Sequence, residues 1–142
     1  MTVRARGIDL DTFNVAQASI AAPVSITATT SATGNTLITT GAFTVDNPGS
    51  FLVTVFTPSL VRGTTSLNIE LFDGATFLTT LMTPAAAAVP LIPVTLRALV
   101  TLALGGHSVK VTGFVDAGTG TFGAGSGATG QAPNAFMTIQ PV

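Results

Sequence analysis

The chain has no cysteine, no tryptophan and no tyrosine, and only 8% of its 142 residues are charged. Without cysteine there is neither a disulfide framework nor thiolate chemistry, so stability must come from packing, hydrogen-bonded strands or surface buried between subunits. Ordinary soluble domains carry about 25% charged residues, so threonine, serine, asparagine and glycine must form much of the solvated surface here. Five basic against six acidic residues leave a net charge of −1, which gives no electrostatic grip on nucleic acid or anionic lipid. Sugar platforms usually stack on tryptophan or tyrosine, so their absence weighs against a carbohydrate-binding module, though phenylalanine, of which there are nine, can substitute.

Long apolar segments are missing as well. "MTVRARGIDLDTF" has two arginines but no apolar run of about 7–15 residues behind them, and Asp9 and Asp11 stand where a signal peptide is hydrophobic, so no secretion signal is read there. "LIPVTLRALVTLAL" (91–104) falls short of the roughly 20 residues that span a bilayer and holds Arg97 near its middle. It is read as a strand, and no membrane insertion is expected.

What the chain does have is the pattern of many short strands: threonine, valine, phenylalanine and isoleucine in short runs, punctuated by Gly, Pro, Asn and Asp. "PVSITATT" (23–30) alternates Val24, Ile26 and Ala28 with Ser25, Thr27 and Thr29, which predicts a strand with one buried face. "GNTLITTGAFTVDNPGS" (34–50) predicts one or two short strands ending in an Asn-Pro-Gly turn. "FLVTVFTPSLV" (51–61) is nearly continuous in apolar residues, as a central strand covered on both sides would be, with Pro58 ending or bending it. Leu67, Ile69 and Leu71 alternate with Asn68 and Glu70 before Asp73-Gly74, which predicts a hairpin over 66–82. "PAAAAVPLIP" (84–93) holds three prolines and is read as a loop. A second hairpin is predicted about Gly105-Gly106, between 94–104 and 107–115, and the last two strands at 120–125 and 134–142. Residues 1–22 stand apart: Arg4, Arg6, Asp9 and Asp11 concentrate charge, and "DTFNVAQASIAA" has modest helical character with Asp11 as an N-cap. The segment reads as an arm, with a frayed terminus or an edge strand as the alternative.

The chemical motifs do not survive inspection. Gly118–Gly123 and Gly125–Gly130 both fit G-x-G-x-x-G, but a dinucleotide site needs those glycines to open a helix and an acidic residue about 20 positions on; no helical stretch follows and no acidic residue comes after Asp116. "GTGTFGAG" is like a kinase glycine-rich loop, yet no chain remains for the lysine, catalytic loop and aspartate such a loop serves. These glycines are expected to serve turns, bulges and close backbone approach. His107 is the only histidine, so it is read as a polar strand residue, or as a ligand only where copies meet on a symmetry axis. Asp46, Asp73 and Asp116 fall in predicted turns and Glu70 on a solvent face. "GAGS" (123–126) is out of register for a nucleophile elbow. No catalytic group, cofactor or metal site is expected.

Residues 91–142 bring the strand "VTLALGGH", the turn Leu104-Gly105-Gly106-His107, the alternation of Val109 and Val111, the segment "GTGTFGAG" and the final "AFMTIQPV". This string resembles the C-terminal half of C1q/TNF-like jelly rolls, as found on bacteriophage fibres and capsids and on bacterial spore filaments. The resemblance covers about a third of the chain and lacks that family's aromatic ending. It implies a homotrimer with the last strand near the threefold axis, and so an interface from Phe136, Met137 and Ile139 with Phe122 beside them. Within "NAFMTIQ", Met137 and Ile139 share one face and Phe136 the other, so one face suits the chain's own core and the other leaves an aromatic for a neighbour.

The fold class read is therefore all-β: an antiparallel β-sandwich of jelly-roll type over 23–142, with about eight to ten strands and an N-terminal arm over 1–22. The expected function is non-enzymatic, a structural protein of a bacteriophage virion surface serving as capsid decoration or tail-fibre tip, docked to capsid or tail proteins through Arg4, Arg6 and Phe13. A host surface glycan or protein is a further expected partner. The alternative is a secreted carbohydrate-binding or adhesive β-sandwich module.

Overall fold

The computed structural model describes residues 14–61, 66–82 and 93–142, together with the backbone of 4–5 and 8–9. In chain order the strands are β1 (Arg4–Ala5), β2 (Ile8–Asp9), β3 (Ala16–Ile20), β4 (Val24–Ile26), β5 (Asn35–Thr39), β6 (Phe43–Val45), β7 (Gly49–Thr57), β8 (Leu60–Val61), β9 (Asn68–Asp73), β10 (Thr76–Met82), β11 (Val94–Leu102), β12 (Gly105–His107), β13 (Val109–Phe114), β14 (Gly120–Phe122) and β15 (Ala135–Pro141). Helical structure among the described residues is a single 3-10 turn, Ser31–Thr33, and no helix there is long and apolar enough to cross a membrane.

Two four-stranded antiparallel sheets make the body, ordered β11-β7-β15-β3 and β10-β9-β13-β5. Their inward faces follow from period-2 alternation. Phe51, Val53 and Val55 of β7 and Met137 and Ile139 of β15 meet Ile69 and Leu71 of β9 and Val109 and Val111 of β13 in one core. Each fully buried side chain of this size contributes about 1.5–3 kcal/mol relative to exposure. The three-stranded sheet β4-β14-β8 adds Ile26, Leu60 and Phe122 to that core. The result is an antiparallel β-sandwich of jelly-roll type. Eight of the fifteen described strands form the main sheets, and the rest, beyond the eight to ten expected, are the three-stranded sheet and the two-stranded ribbons β1-β2 and β12-β6.

The hairpin over 66–82 is present: β9 pairs with β10, and Asp73 faces Thr76 across the turn, where Gly74 sits at φ 57°. β7 ends at Thr57, just before Pro58. It is central in its sheet but buried on one face only, because Leu52, Thr54 and Phe56 are half-exposed. The second expected hairpin does not form. β11 pairs with β7, whereas β13 pairs with β5 and β9 in the opposite sheet. Gly105 and Gly106 belong to β12, paired with β6, and Gly105 at φ 125° redirects the chain from one sheet to the other. Within the stretch read as modestly helical, Ala16–Ile20 instead form β3 at the edge of its sheet along β15, the edge-strand alternative of the sequence reading. The loop read at 84–93 lies outside the described residues except for Pro93.

Candidate functional site

The glycine-rich stretch serves the backbone. A Cβ on Gly123 would lie 2.7 Å from the Ser59 carbonyl oxygen, the same oxygen that accepts from Gly123 N at 2.8 Å. Gly125 donates to Pro133 O at 2.9 Å and Gly127 to Ala132 O at 3.0 Å, so this run zips onto the approach to β15. Gly118, Gly127 and Gly130 have φ of 75°, 70° and 77°, a region that disfavours side chains. No phosphate cradle is built here.

His107 is a clasp rather than a catalytic base. Its Nδ1 lies 2.6 Å from Asp73 Oδ2 and its Nε2 2.9 Å from the Ala103 carbonyl oxygen. Both partners are acceptors, so the imidazolium satisfies both and neither nitrogen is left for a nucleophile. The bond to Asp73 raises the His107 pKa above its ordinary 6.5, burial opposes that, and the Ala103 carbonyl adds to it. Burial pushes the Asp73 carboxyl up, but bonds from His107 and the Ser108 N–H outweigh it and hold the group below its ordinary value. Glu70 and Asp116 stand apart from this pair with hydrogen bonds of their own, and Asp46 is exposed beyond β6. Glu70, expected on a solvent face, is 8% exposed because Ser31 of the 3-10 turn covers it and donates to Oε2 at 2.5 Å. Asp116 accepts from Ser66 N at 2.8 Å. Among the described residues no three His, Asp or Glu side chains gather as a metal site.

The organised feature is the outward face of the β11-β7-β15-β3 sheet. Strand register places Ser19, Phe136, Phe56 and Thr95 in one row across it, Gln17, Thr138, Thr54 and Arg97 in the next, and Gln140, Leu52 and Leu99 in a third. Rows are about 7 Å apart along the strands. Phe56 and Phe136 stack with ring centroids 5.2 Å apart and planes at 24°. Phe136 is 40% exposed and Leu99 65%. Beside Phe136 an open depression of about 440 Å³ is lined by Gln17, Ser19 and Thr138. An apolar ring shelf with hydroxyl and amide groups at its edge offers stacking and hydrogen bonding side by side.

Of the interface expected at Phe122, Phe136, Met137 and Ile139, only Phe136 is at the surface. Phe122, Met137 and Ile139 are fully buried in the chain's own core and offer nothing to a neighbour. In the docking arm, Arg6 and Phe13 lie outside the described residues, and Arg4 is described only as backbone paired in register with Asp9. Phe56, Thr54, Arg97 and Leu99 escape a sequence reading that treats 51–61 as covered on both sides. Their signal is the alternation Leu52, Thr54, Phe56, visible once one face of that strand is left open.

No protein-family model matches the chain, and no curated protein does. Among solved structures it is similar to the carbohydrate binding module CBM6cm-2 from Cellvibrio mixtus lichenase 5A in complex with cellotriose, at 16% identity and a TM-score of 0.48, covering 91% of this chain and 98% of that one. It is also similar to the C-terminal CBM6 of LamC, a laminarinase from Zobellia galactanivorans, at 11% identity and a TM-score of 0.41, covering 84% and 99%. At this level of likeness the architecture rests on the strand pairings themselves.

Proposed function

We propose that this chain is a non-catalytic carbohydrate-binding, adhesive β-sandwich module, and that it holds a neutral sugar chain on the outward face of the β11-β7-β15-β3 sheet. The observation that carries this reading is the stacked, solvent-facing Phe56–Phe136 pair bordered by Gln17, Ser19 and Thr138. A pyranose offers an apolar face of C–H groups to the Phe136 ring and hydroxyls to the flanking donors and acceptors. Arg97 is the one charged residue in the rows of that face, and the net charge of −1 supplies no steering toward polyanions, which favours a neutral ligand. No step of bond chemistry is involved, in keeping with the hydrogen bonds that hold His107, Asp73, Glu70 and Asp116.

Isothermal titration with cello- and laminari-oligosaccharides tests it. Phe136→Ala should weaken binding about tenfold, equivalent to about 1.4 kcal/mol, and lower stability by roughly 1–2 kcal/mol, since the ring is mostly covered and stacked on Phe56, while the fold is retained by circular dichroism. Equal affinity for both proteins, or none for either, contradicts the reading.

A second reading draws on Leu99 and Phe136, large apolar side chains exposed on this face. A structural protein of a phage particle would bury them between copies of the chain as a homotrimer, with capsid or tail proteins as further partners. Sedimentation separates the two, since that assembly persists without sugar.

A further inference from the structure

The outward face of the β11-β7-β15-β3 sheet does not end at the phenylalanines. On β7, Leu52 lies on the same side as Phe56, two rows away, and register sets it directly opposite Leu99 of β11, just as Phe56 is set opposite Phe136 of β15. Two cross-strand apolar pairs thus share β7, one lying toward β15 and the other toward β11. At about 7 Å per row they stand about 14 Å apart along the strands. The row between them is polar throughout: Gln17, Thr138, Thr54 and Arg97. Arg97 is exposed and pairs with no carboxylate among the described residues, whose one ion pair is His107–Asp73. Leu99 is 65% exposed. On this side β11 otherwise turns Thr95, Arg97 and Thr101 to solvent, so Leu99 is the one apolar side chain in its outward series.

The geometry points to Leu99, with Leu52, as a second apolar station on this face, so that the ligand is an extended, linear, neutral sugar chain of several units, of which a disaccharide fills only the Phe136 end. This inference rests on the carbohydrate reading and specifies its ligand class. A ring on Phe56 and Phe136 and another on Leu52 and Leu99 are too far apart to be neighbours in a chain. The intervening units lie over Thr54, where Thr138 and Arg97 reach their hydroxyls from either side. The guanidinium only donates, so it takes lone pairs of the sugar oxygens, while the threonine hydroxyls donate or accept. Each station covers the C–H face of one ring, a surface that a linear chain repeats at every unit. Leu99 is therefore the residue that reads chain length.

Isothermal titration of the full chain with the disaccharide and the tetrasaccharide of the cello and laminari series tests it. In the series that binds, the tetrasaccharide should bind roughly tenfold tighter than the disaccharide, the gain expected when a further leucine pair is partly covered. Leu99→Ala should remove most of that gain while leaving the dissociation constant of the disaccharide as in the parent. Leu99→Met, which keeps an apolar side chain at the station, should retain the gain. Because Leu99 is exposed, the melting temperature should hold in both variants. Equal constants for the two lengths, a gain that survives Leu99→Ala, or one lost equally in Leu99→Met overturns the second station and leaves the Phe136 shelf standing. No binding by the parent, or binding indifferent to Phe136→Ala, contradicts the carbohydrate reading itself, on which the station depends.

Discussion

His107 shows how one side chain ties three elements. Its ring joins the end of β9 through Asp73 and the chain just after β11 through Ala103, and it lies 5.8 Å from the Phe43 ring on β6. Because the folded state raises the histidine pKa, the clasp contributes fully below the unfolded value near 6.5 and is lost as pH rises through the raised folded value. Because it lowers that of Asp73, the carboxylate's share is present above the unfolded value of 3.8 and is lost as pH falls through the lowered one. The histidine side chain is 9% exposed and the aspartate 23%, so screening trims a charged hydrogen bond to about 1 kcal/mol. Denaturant unfolding of His107→Gln against the parent should therefore show a difference of roughly that size at pH 5 that shrinks by pH 8.5. A gap that stays constant or widens with pH contradicts the clasp. A sequence in which His107 stands 34 residues from Asp73 does not show this contact, since the topology alone brings them together.

At the scale of elements, the glycines between β14 and β15 convert absent side chains into close backbone packing. Gly125→Ala would drive its Cβ into the Ala132 carbonyl, an overpacking that costs roughly 1–3 kcal/mol. Thermal unfolding should show the loss, whereas Gly41→Ala, with nothing within 4 Å of the added atom, should fall close to the parent. The strands themselves were largely legible, because alternation such as Val24, Ser25, Ile26 or Leu67 to Leu71 marks a buried face and Asp73-Gly74 marks a turn. Partnership was not. A glycine pair between two apolar runs looks the same whether the chain folds back within one sheet or crosses to the other, and β11 and β13 cross. Ala16–Ile20 left two readings open for a related reason: "AQAS" has helical propensity, and only a place beside β15 decides for the edge strand. On the candidate face, Phe136 could be found because Met137 and Ile139 claim the opposite side of β15. Phe56 could not, since only the pairing of β7 with β15 sets the two rings together.

At the scale of the molecule, two apolar sheet faces make one core, while each outward face keeps a half-open, mixed polar and aromatic surface. In a chain so poor in charge, hydroxyl and amide groups carry much of that surface, the chemistry that would also meet a sugar. On the carbohydrate reading the protein should sediment as a monomer at micromolar concentration, with Phe136 free for ligand; a stable trimer that Phe136→Ala dissociates would favour the structural reading instead. The most direct test of the central claim is an amide NMR perturbation map with a neutral oligosaccharide such as cellotetraose. The account predicts saturable shifts at Ser19, Thr54, Phe56, Phe136 and Thr138, across β3, β15 and β7. A map on which these five stay still at saturating sugar would contradict it.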